Sequence, residues 1–198
     1  MNEDIRSIDW FNVMDCLLSK TENDYVCSVI QKLNWNIADF NKLMNNIELK
    51  KDVIYFIVLC DWITEACNCI YKAYDKYISG FSYLNESKRV ECNKNFKAIR
   101  SFMVAHPLNT CRHKNQGYDG TKKCIDISLN LSEFDKAFHN YDRDDADFYL
   151  IYYADSGAYK NEGHDYSEIY SCVYYNIEQI IEFRKHLSKI RRKDICKY

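Results

Sequence analysis

The sequence predicts a mainly helical domain, and three observations lead to that fold class. The chain has 198 residues but contains only 1 proline and 5 glycines, too few for the turns of a sandwich or barrel. Apolar residues recur every three or four positions through most of its first half, as on one face of an α-helix. One later stretch alternates apolar and polar residues, which predicts a strand. We therefore expect a helical bundle with a small β insertion.

Four helical segments are predicted up to the sole proline, Pro107. The first covers about 4–18, and the second, about 21–44, starts at the capping-box-like sequence Thr-Glu-Asn-Asp. The third, about 51–79, is apolar almost all round, so we expect it to lie at the centre of the bundle or to be covered by a second subunit. The fourth runs over about 84–107.

The rest of the chain predicts two strands and a last long helix. Residues 124–131 alternate between apolar and polar side chains, and 148–154 form an apolar and aromatic run that ends in a turn sequence. The spacing of the pair Asp165–Glu168 predicts a capping box at the start of the last helix. We expect a single domain, 1–198, in which 115–160 is a loop and a two-stranded insertion between the fourth and last long helices.

Charge and composition exclude several classes of protein. The formal net charge of -2 gives no bulk basic signal, and 47% hydrophobic residues exclude a polar disordered chain. The longest apolar run, Val53–Cys60, is 8 residues, whereas a membrane-spanning helix needs about 20, so no membrane contact is expected. The amino-terminal MNEDIRSIDW lacks the apolar core of a signal peptide, which predicts a cytoplasmic protein. In that reducing compartment, cysteines such as Cys60, Cys67 and Cys172 are expected to be buried, inert side chains.

The segment 98–114, AIRSFMVAHPLNTCRHK, combines residues that suit phosphate chemistry. Arg100 can bind a phosphate bidentately, and His106 can transfer protons because an imidazole has a pKa of about 6.5. On an ideal α-helix these side chains lie about 9 Å apart along the axis and about 120° apart around it, so one pair does not complete a site. Two copies converging across a two-fold axis would supply two of each. Further residues expected to contact RNA are Ser101, Asn109, Thr110, Arg112, His113 and Lys114.

The motif Arg100-Ser101-Phe102-Met103-Val104-Ala105-His106, near the end of a long helix, resembles the arginine and histidine motif of HEPN domains. The resemblance implies a metal-independent endoribonuclease that acts as a homodimer, with the motifs of both protomers in one cleft. It implies attack of the ribose 2′-hydroxyl on the adjacent phosphate, with His106 as general acid and base and Arg100 stabilising the pentacoordinate phosphate. Members occur in toxin–antitoxin, abortive-infection and CRISPR-linked defence systems, so an antitoxin or defence-system protein is an expected partner.

A second interpretation stays open, in which the chain is a catalytically inactive HEPN-like module. Such a module would bind RNA, a nucleotide or a partner protein within a defence or toxin–antitoxin system. Arg100 would then be an ordinary ion-paired helix residue, and His106 a histidine favoured by the helix dipole. Zinc ligand types occur at His106, Cys111, His113 and Cys124, but their spacing lacks the paired short loops of zinc sites, so neither a metal nor a cofactor is expected.

Overall fold

The computed structural model describes residues 3–9, 17–105, 123–130, 140–141, 143–153 and 159–195. It confirms the mainly helical class. The long helices are α1 (Lys20–Met44), α2 (Lys50–Ala73), α3 (Glu86–Arg100) and α4 (Tyr166–Ile195). A 3-10 turn, Asp75–Tyr77, follows α2, and a π-helical turn, Ser101–Ala105, continues α3. The strands are β1 (Lys123–Ser128), β2 (Asn140–Tyr141), β3 (Phe148–Tyr153) and β4 (Tyr159–His164).

Helix α2 lies at the centre of the bundle, as its apolar composition predicts. It packs against α1 and against α4, and the Phe40 and Phe56 rings stack between α1 and α2 with centroids 4.4 Å apart. Each of these fully buried rings contributes about 1.5–3 kcal/mol through the hydrophobic effect. Of the described helices, α2 alone has the length and composition to cross a membrane, but 56% of its most apolar window is buried inside the protein. Core packing therefore accounts for just over half of this apolar window.

The first turn of α1 is capped by Ser19 rather than by the predicted Thr21. The Ser19 amide donates to Glu22 Oε2 at 2.8 Å, and the Glu22 amide donates to Ser19 Oγ at 3.4 Å. This reciprocal pair is a capping box, and it starts the helix one residue before Thr21. The predicted capping box of α4 is present in one half, since Glu168 Oε1 accepts from the Asp165 amide at 3.1 Å.

The prediction of a first helix over about 4–18 is wrong for residues 3–9, which have no helical structure. Two asparagines of α1 hold this segment by its backbone. Asn41 accepts from the Ile5 amide at 3.0 Å and donates to the Ile5 carbonyl at 2.8 Å. Asn34 makes the same two contacts with Ile8, at 2.7 and 2.9 Å. Residues 10–16 of the predicted helix lie outside the described residues. An apolar pair three residues apart therefore fits an extended segment anchored by amide side chains as well as it fits a helix.

The sheet is larger than the predicted two strands. The expected strands, β1 and β3, pair antiparallel, but β3 also pairs antiparallel with β4, and the short β2 pairs parallel with β4, in the order β1-β3-β4-β2. The insertion therefore reaches His164, beyond the predicted boundary at 160. Strand β4 has no apolar alternation because its buried positions include two polar residues, Asn161 and His164.

Three of the cysteines lie in the core, as expected. Cys60, Cys67 and Cys172 are buried and form no disulfide. Burial raises the pKa of Cys60 and of Cys67 well above the ordinary value, which removes the reactive thiolate at neutral pH. These two thiols are therefore unreactive packing groups.

A buried, charged histidine joins the sheet to α4. The His164 side chain is 8% exposed and lies between Glu162 Oε1, 3.3 Å from Nε2, and Glu168 Oε2, 3.0 Å from Nδ1. Its ring stacks on Phe148 with centroids 5.6 Å apart. Burial disfavours the imidazolium, but the two carboxylates outweigh burial and raise the pKa of His164 to about 9. The charged His164 and its two carboxylates thereby stabilise the junction between β4 and the first turn of α4.

The raised pKa of His164 predicts a pH dependence of stability. Because the folded-state pKa, about 9, exceeds the ordinary value of 6.5, this contribution is complete below pH about 6.5 and is lost as the pH rises through about 9. We expect His164→Gln to be less stable than the wild type by on the order of 3 kcal/mol at pH about 6, where both carboxylates are ionised, and the difference in the free energy of unfolding to approach zero above pH about 9.5. Urea unfolding across this range measures the difference, and His186→Gln, which removes a contact with the Tyr77 carbonyl, is the control. A constant difference between wild type and His164→Gln would refute the assignment.

The amino-terminal contacts predict a local effect of Asn41→Ala. The substitution removes both backbone contacts of Ile5, so we expect a loss of about 1–2 kcal/mol in the free energy of unfolding and faster hydrogen exchange at Ile5. The matched control is Asn46→Ala, because the Asn46 side chain makes a local contact, donating to the Lys42 carbonyl four residues earlier in the chain. Equal exchange at Ile5 in both variants would show that Asn41 does not anchor the segment.

Candidate active site at the end of the third helix

The end of α3 is fixed by apolar contacts on either side of Arg100. Ile99 is 1% exposed, and Phe102 is fully buried. The Phe102 ring stacks on Tyr152 of β3, with centroids 5.4 Å apart and planes 19° apart. The π-helical turn packs against both α2 and β1. The sheet insertion therefore helps to fix the segment that carries the motif.

Arg100 lies at the edge of this packed region and forms an ion pair with α2. Its Nε is 2.7 Å from Asp61 Oδ1, and the side chains of Arg100 and Asp61 are 39% and 33% exposed. A pair this exposed contributes about 0–1 kcal/mol to folding, so it places the guanidinium beside α2 without adding much stability. Arg100 Nε is buried and has no hydrogen-bond partner among the described residues, so the contact with Asp61 is a charge pair and not a hydrogen bond. Asp61 therefore keeps the guanidinium beside α2 by charge attraction, and the N–H donors of a guanidinium suit a phosphate.

Sequence reasoning missed Asp61, although one signal was present. Asp61 is the residue that ends the longest apolar run, inside a helix whose other side chains are mostly apolar. A carboxylate in that position needs a cation or solvent, and the guanidinium at the end of α3 provides the cation. Finding this pair required the relative placement of α2 and α3, which the sequence pattern does not contain.

The backbone between Arg100 and Ala105 departs from the predicted α-helix. α3 ends at Arg100, and Ser101–Ala105 form a π-helical turn, with hydrogen bonds from residue i to i+5. The separation of about 120° expected between Arg100 and His106 assumed α-helical geometry, so it does not apply here. π-Helical turns are rare and are frequent at functional sites. The turn immediately before His106 is thus a second unusual feature of the motif.

Ser101, an expected RNA contact, faces the interior. It is 7% exposed, so a direct contact with RNA would require this turn to open. We therefore leave Ser101 out of the proposed RNA contacts. Its position at the start of the π-helical turn indicates a packing role.

The other predicted site residues lie outside the described part of the chain. They are His106, Asn109, Thr110, Arg112, His113 and Lys114. Their roles stay predictions. Within the described residues, no group of three or more His, Cys, Asp or Glu side chains is placed to hold a metal ion.

The described site thus consists of a partly exposed Arg100, its ion-pair partner Asp61 and a π-helical turn that leads to His106. No protein-family model, curated protein or solved structure matches this chain.

Proposed function

We propose that the chain is a metal-independent endoribonuclease of the HEPN type, with its active site formed across a homodimer. The observation that carries the proposal is the placement of Arg100, which is held by Asp61 and partly exposed at the helix end that leads to His106. A cytoplasmic location and an antitoxin or defence-system partner accompany this proposal and rest on the resemblance of the motif.

The proposed reaction needs only RNA and protein side chains. One His106 removes the proton from a ribose 2′-hydroxyl, whose oxygen forms a bond to the adjacent phosphorus. The bond from phosphorus to the 5′-oxygen then breaks, and the second His106 of the dimer gives a proton to that oxygen. The products are a 2′,3′-cyclic phosphate and a 5′-hydroxyl. Arg100 donates hydrogen bonds to the phosphate oxygens, whose negative charge increases in the transition state.

The exposed surface of the α1–α2 pair supports a second copy as partner. Trp35 on α1 is 64% exposed, and Tyr55 and Trp62 on α2 are 41% and 44% exposed. Tyr55 and Trp62 are seven residues apart, so they lie on the same side of α2, and Trp62 directly follows Asp61. Large exposed aromatic side chains are enriched at protein interfaces.

The inactive module is the second candidate, and one observation favours it. Asp61 already balances the charge of Arg100 in the single chain, as in an ordinary structural ion pair. In that case the chain would bind RNA or a partner protein without cutting RNA. The two candidates differ in whether purified protein cleaves RNA.

The motif predicts the effect of His106→Ala on RNA cleavage. Purified wild-type protein should cut single-stranded RNA in the presence of EDTA and leave 2′,3′-cyclic phosphate ends. His106→Ala and Arg100→Ala should each lower the rate by about 100-fold or more, since they remove the proton transfer and the charge stabilisation. His186→Gln is the control and should retain activity, because His186 contacts the Tyr77 carbonyl and not the motif.

Full activity in His106→Ala would refute the assignment of the catalytic histidine. Loss of wild-type activity in EDTA would refute metal independence. An intact, folded dimer that does not cut RNA but still binds it would support the inactive module instead.

Asp61 is proposed as a positioning residue, which makes a separate prediction. Asp61→Asn should lower kcat by about tenfold with KM nearly unchanged, because the guanidinium keeps its charge but loses the attraction that places it beside α2. Asp61→Glu should recover part of the loss. Glu65→Gln, an exposed carboxylate one turn further along α2, is the matched control. A change in KM alone, or equal effects of Asp61→Asn and Glu65→Gln on kcat, would contradict a positioning role.

A further inference from the structure

A polar groove lies between α2 and α3. Both helices pack closely on α4 but contact each other only sparingly, so a space remains between them. This groove has a volume of about 400 Å³. The lining residues in the described part of the chain are Thr64, Asn68, Arg89, Val90, Asn93, Lys94 and Lys97.

The charge of the groove is opposite to that of the chain. The net charge of the whole chain is -2, yet the described lining residues include three cationic side chains, Arg89, Lys94 and Lys97, and no carboxylate. Lys94 and Lys97 are exposed, and neither has a carboxylate within 4.0 Å among the described residues. Their charges are therefore available to an anionic ligand. Positive charge concentrated in a groove raises the local concentration of anions.

The floor of the groove is already ordered by hydrogen bonds to α4. Asn176, 1% exposed, donates to Asn93 Oδ1 at 2.8 Å, and Cys172 Sγ lies 3.1 Å from the same oxygen. A ligand in the groove therefore meets an amide whose position is fixed, which lowers the entropy cost of binding.

Arg89 is also held in place. Its Nε and Nη2 donate to the two oxygens of Glu86 at 3.0 and 2.8 Å, and its guanidinium lies 5.7 Å from the centroid of the Tyr83 ring. Glu86 balances the charge of Arg89, so the uncompensated charge of the groove comes from Lys94 and Lys97.

The groove leads towards the candidate active site. On α3, Lys97 is followed one turn later by Arg100, about 5 Å further along the helix, and on α2, Thr64 is preceded one turn earlier by Asp61. The stretch from Arg89 to Arg100 spans about 16 Å. That length matches about five stacked nucleotides at about 3.4 Å each.

We infer that this groove binds the phosphate backbone of single-stranded RNA next to the cleavage site, with Lys94 and Lys97 as the main phosphate contacts. The inference rests on the proposed function for the identity of the polymer. Lysine charges attract phosphates without distinguishing one base from another, and the described lining residues include no aromatic side chain on which a base could stack. Both features favour contacts with the RNA backbone over base recognition.

The test measures binding without cleavage. The probe is a fluorescein-labelled RNA of about 12 nucleotides with 2′-O-methyl groups at every ribose, which lacks the nucleophile, and fluorescence anisotropy gives Kd at several salt concentrations. Lys94→Gln/Lys97→Gln should raise Kd by about tenfold and reduce the slope of log K against log salt by about 1.4, at about 0.7 per lost phosphate contact. Lys42→Gln/Lys88→Gln removes the same charge from α1 and from the opposite side of α3, and should leave both quantities near the wild-type values.

Several outcomes would overturn the inference. These are unchanged Kd and salt slope in Lys94→Gln/Lys97→Gln, an equal loss in the control, no binding of the probe by the wild type, or ATP binding as tightly as the probe. Failure of the proposed function would give another result: the probe would bind through the groove, but unmodified RNA would not be cleaved. Normal cleavage with unchanged binding in the double variant would leave the ribonuclease proposal standing and remove only the groove.

Discussion

The burial of α2 is the constraint on which the rest of the structure depends. Its apolar residues occupy so much of the helix surface that α1 and α4 must cover it on separate sides. The fully buried Phe56 and its stacked partner Phe40 represent one of these contacts. Asp61 is thereby fixed on the flank of α2 that the core leaves partly open, and Arg100 meets it there.

The same arrangement produces the groove. Because α4 serves as the common packing surface of α2 and α3, these two helices need not pack against each other. Polar residues line the resulting gap, and one of them, Asn93, accepts a hydrogen bond from the buried Asn176 of α4. A chain with a slightly negative net charge can therefore present a local positive surface beside Arg100. The proposed binding and cleavage roles share one structural origin.

Periodic apolar patterns predicted the long helices and β1, and a continuous apolar run predicted β3, because core packing leaves a direct trace in the placement of apolar residues. The features that the sequence did not reveal depend on polar contacts between distant segments. The segment around Ile5 and Ile8 is held by amide side chains of α1, and β4 is buried through Asn161 and His164. Because the buried or anchoring residues at these positions are polar, the spacing of apolar residues does not predict them.

The candidate site also combines features that the sequence predicted with features that it did not. Arg100 and His106 were found from the motif, but Asp61, the π-helical turn and the lysines of the groove were not. The Asp61 pair and the groove depend on the placement of α2 beside α3, and the π-helical turn packs against the sheet through Phe102 and Tyr152. Local sequence therefore specifies the chemical groups, whereas their orientation is a tertiary property.

The central claim is that two copies of the motif form one cleft, and the structure of the assembled protein tests it most directly. The quantity to measure is the distance between the two His106 imidazoles. We predict a two-fold dimer in which Arg100 and His106 of both protomers face one open cleft, with the imidazoles within about 15 Å of each other. A monomer, or a dimer that holds the two imidazoles farther apart than this, would contradict the claim.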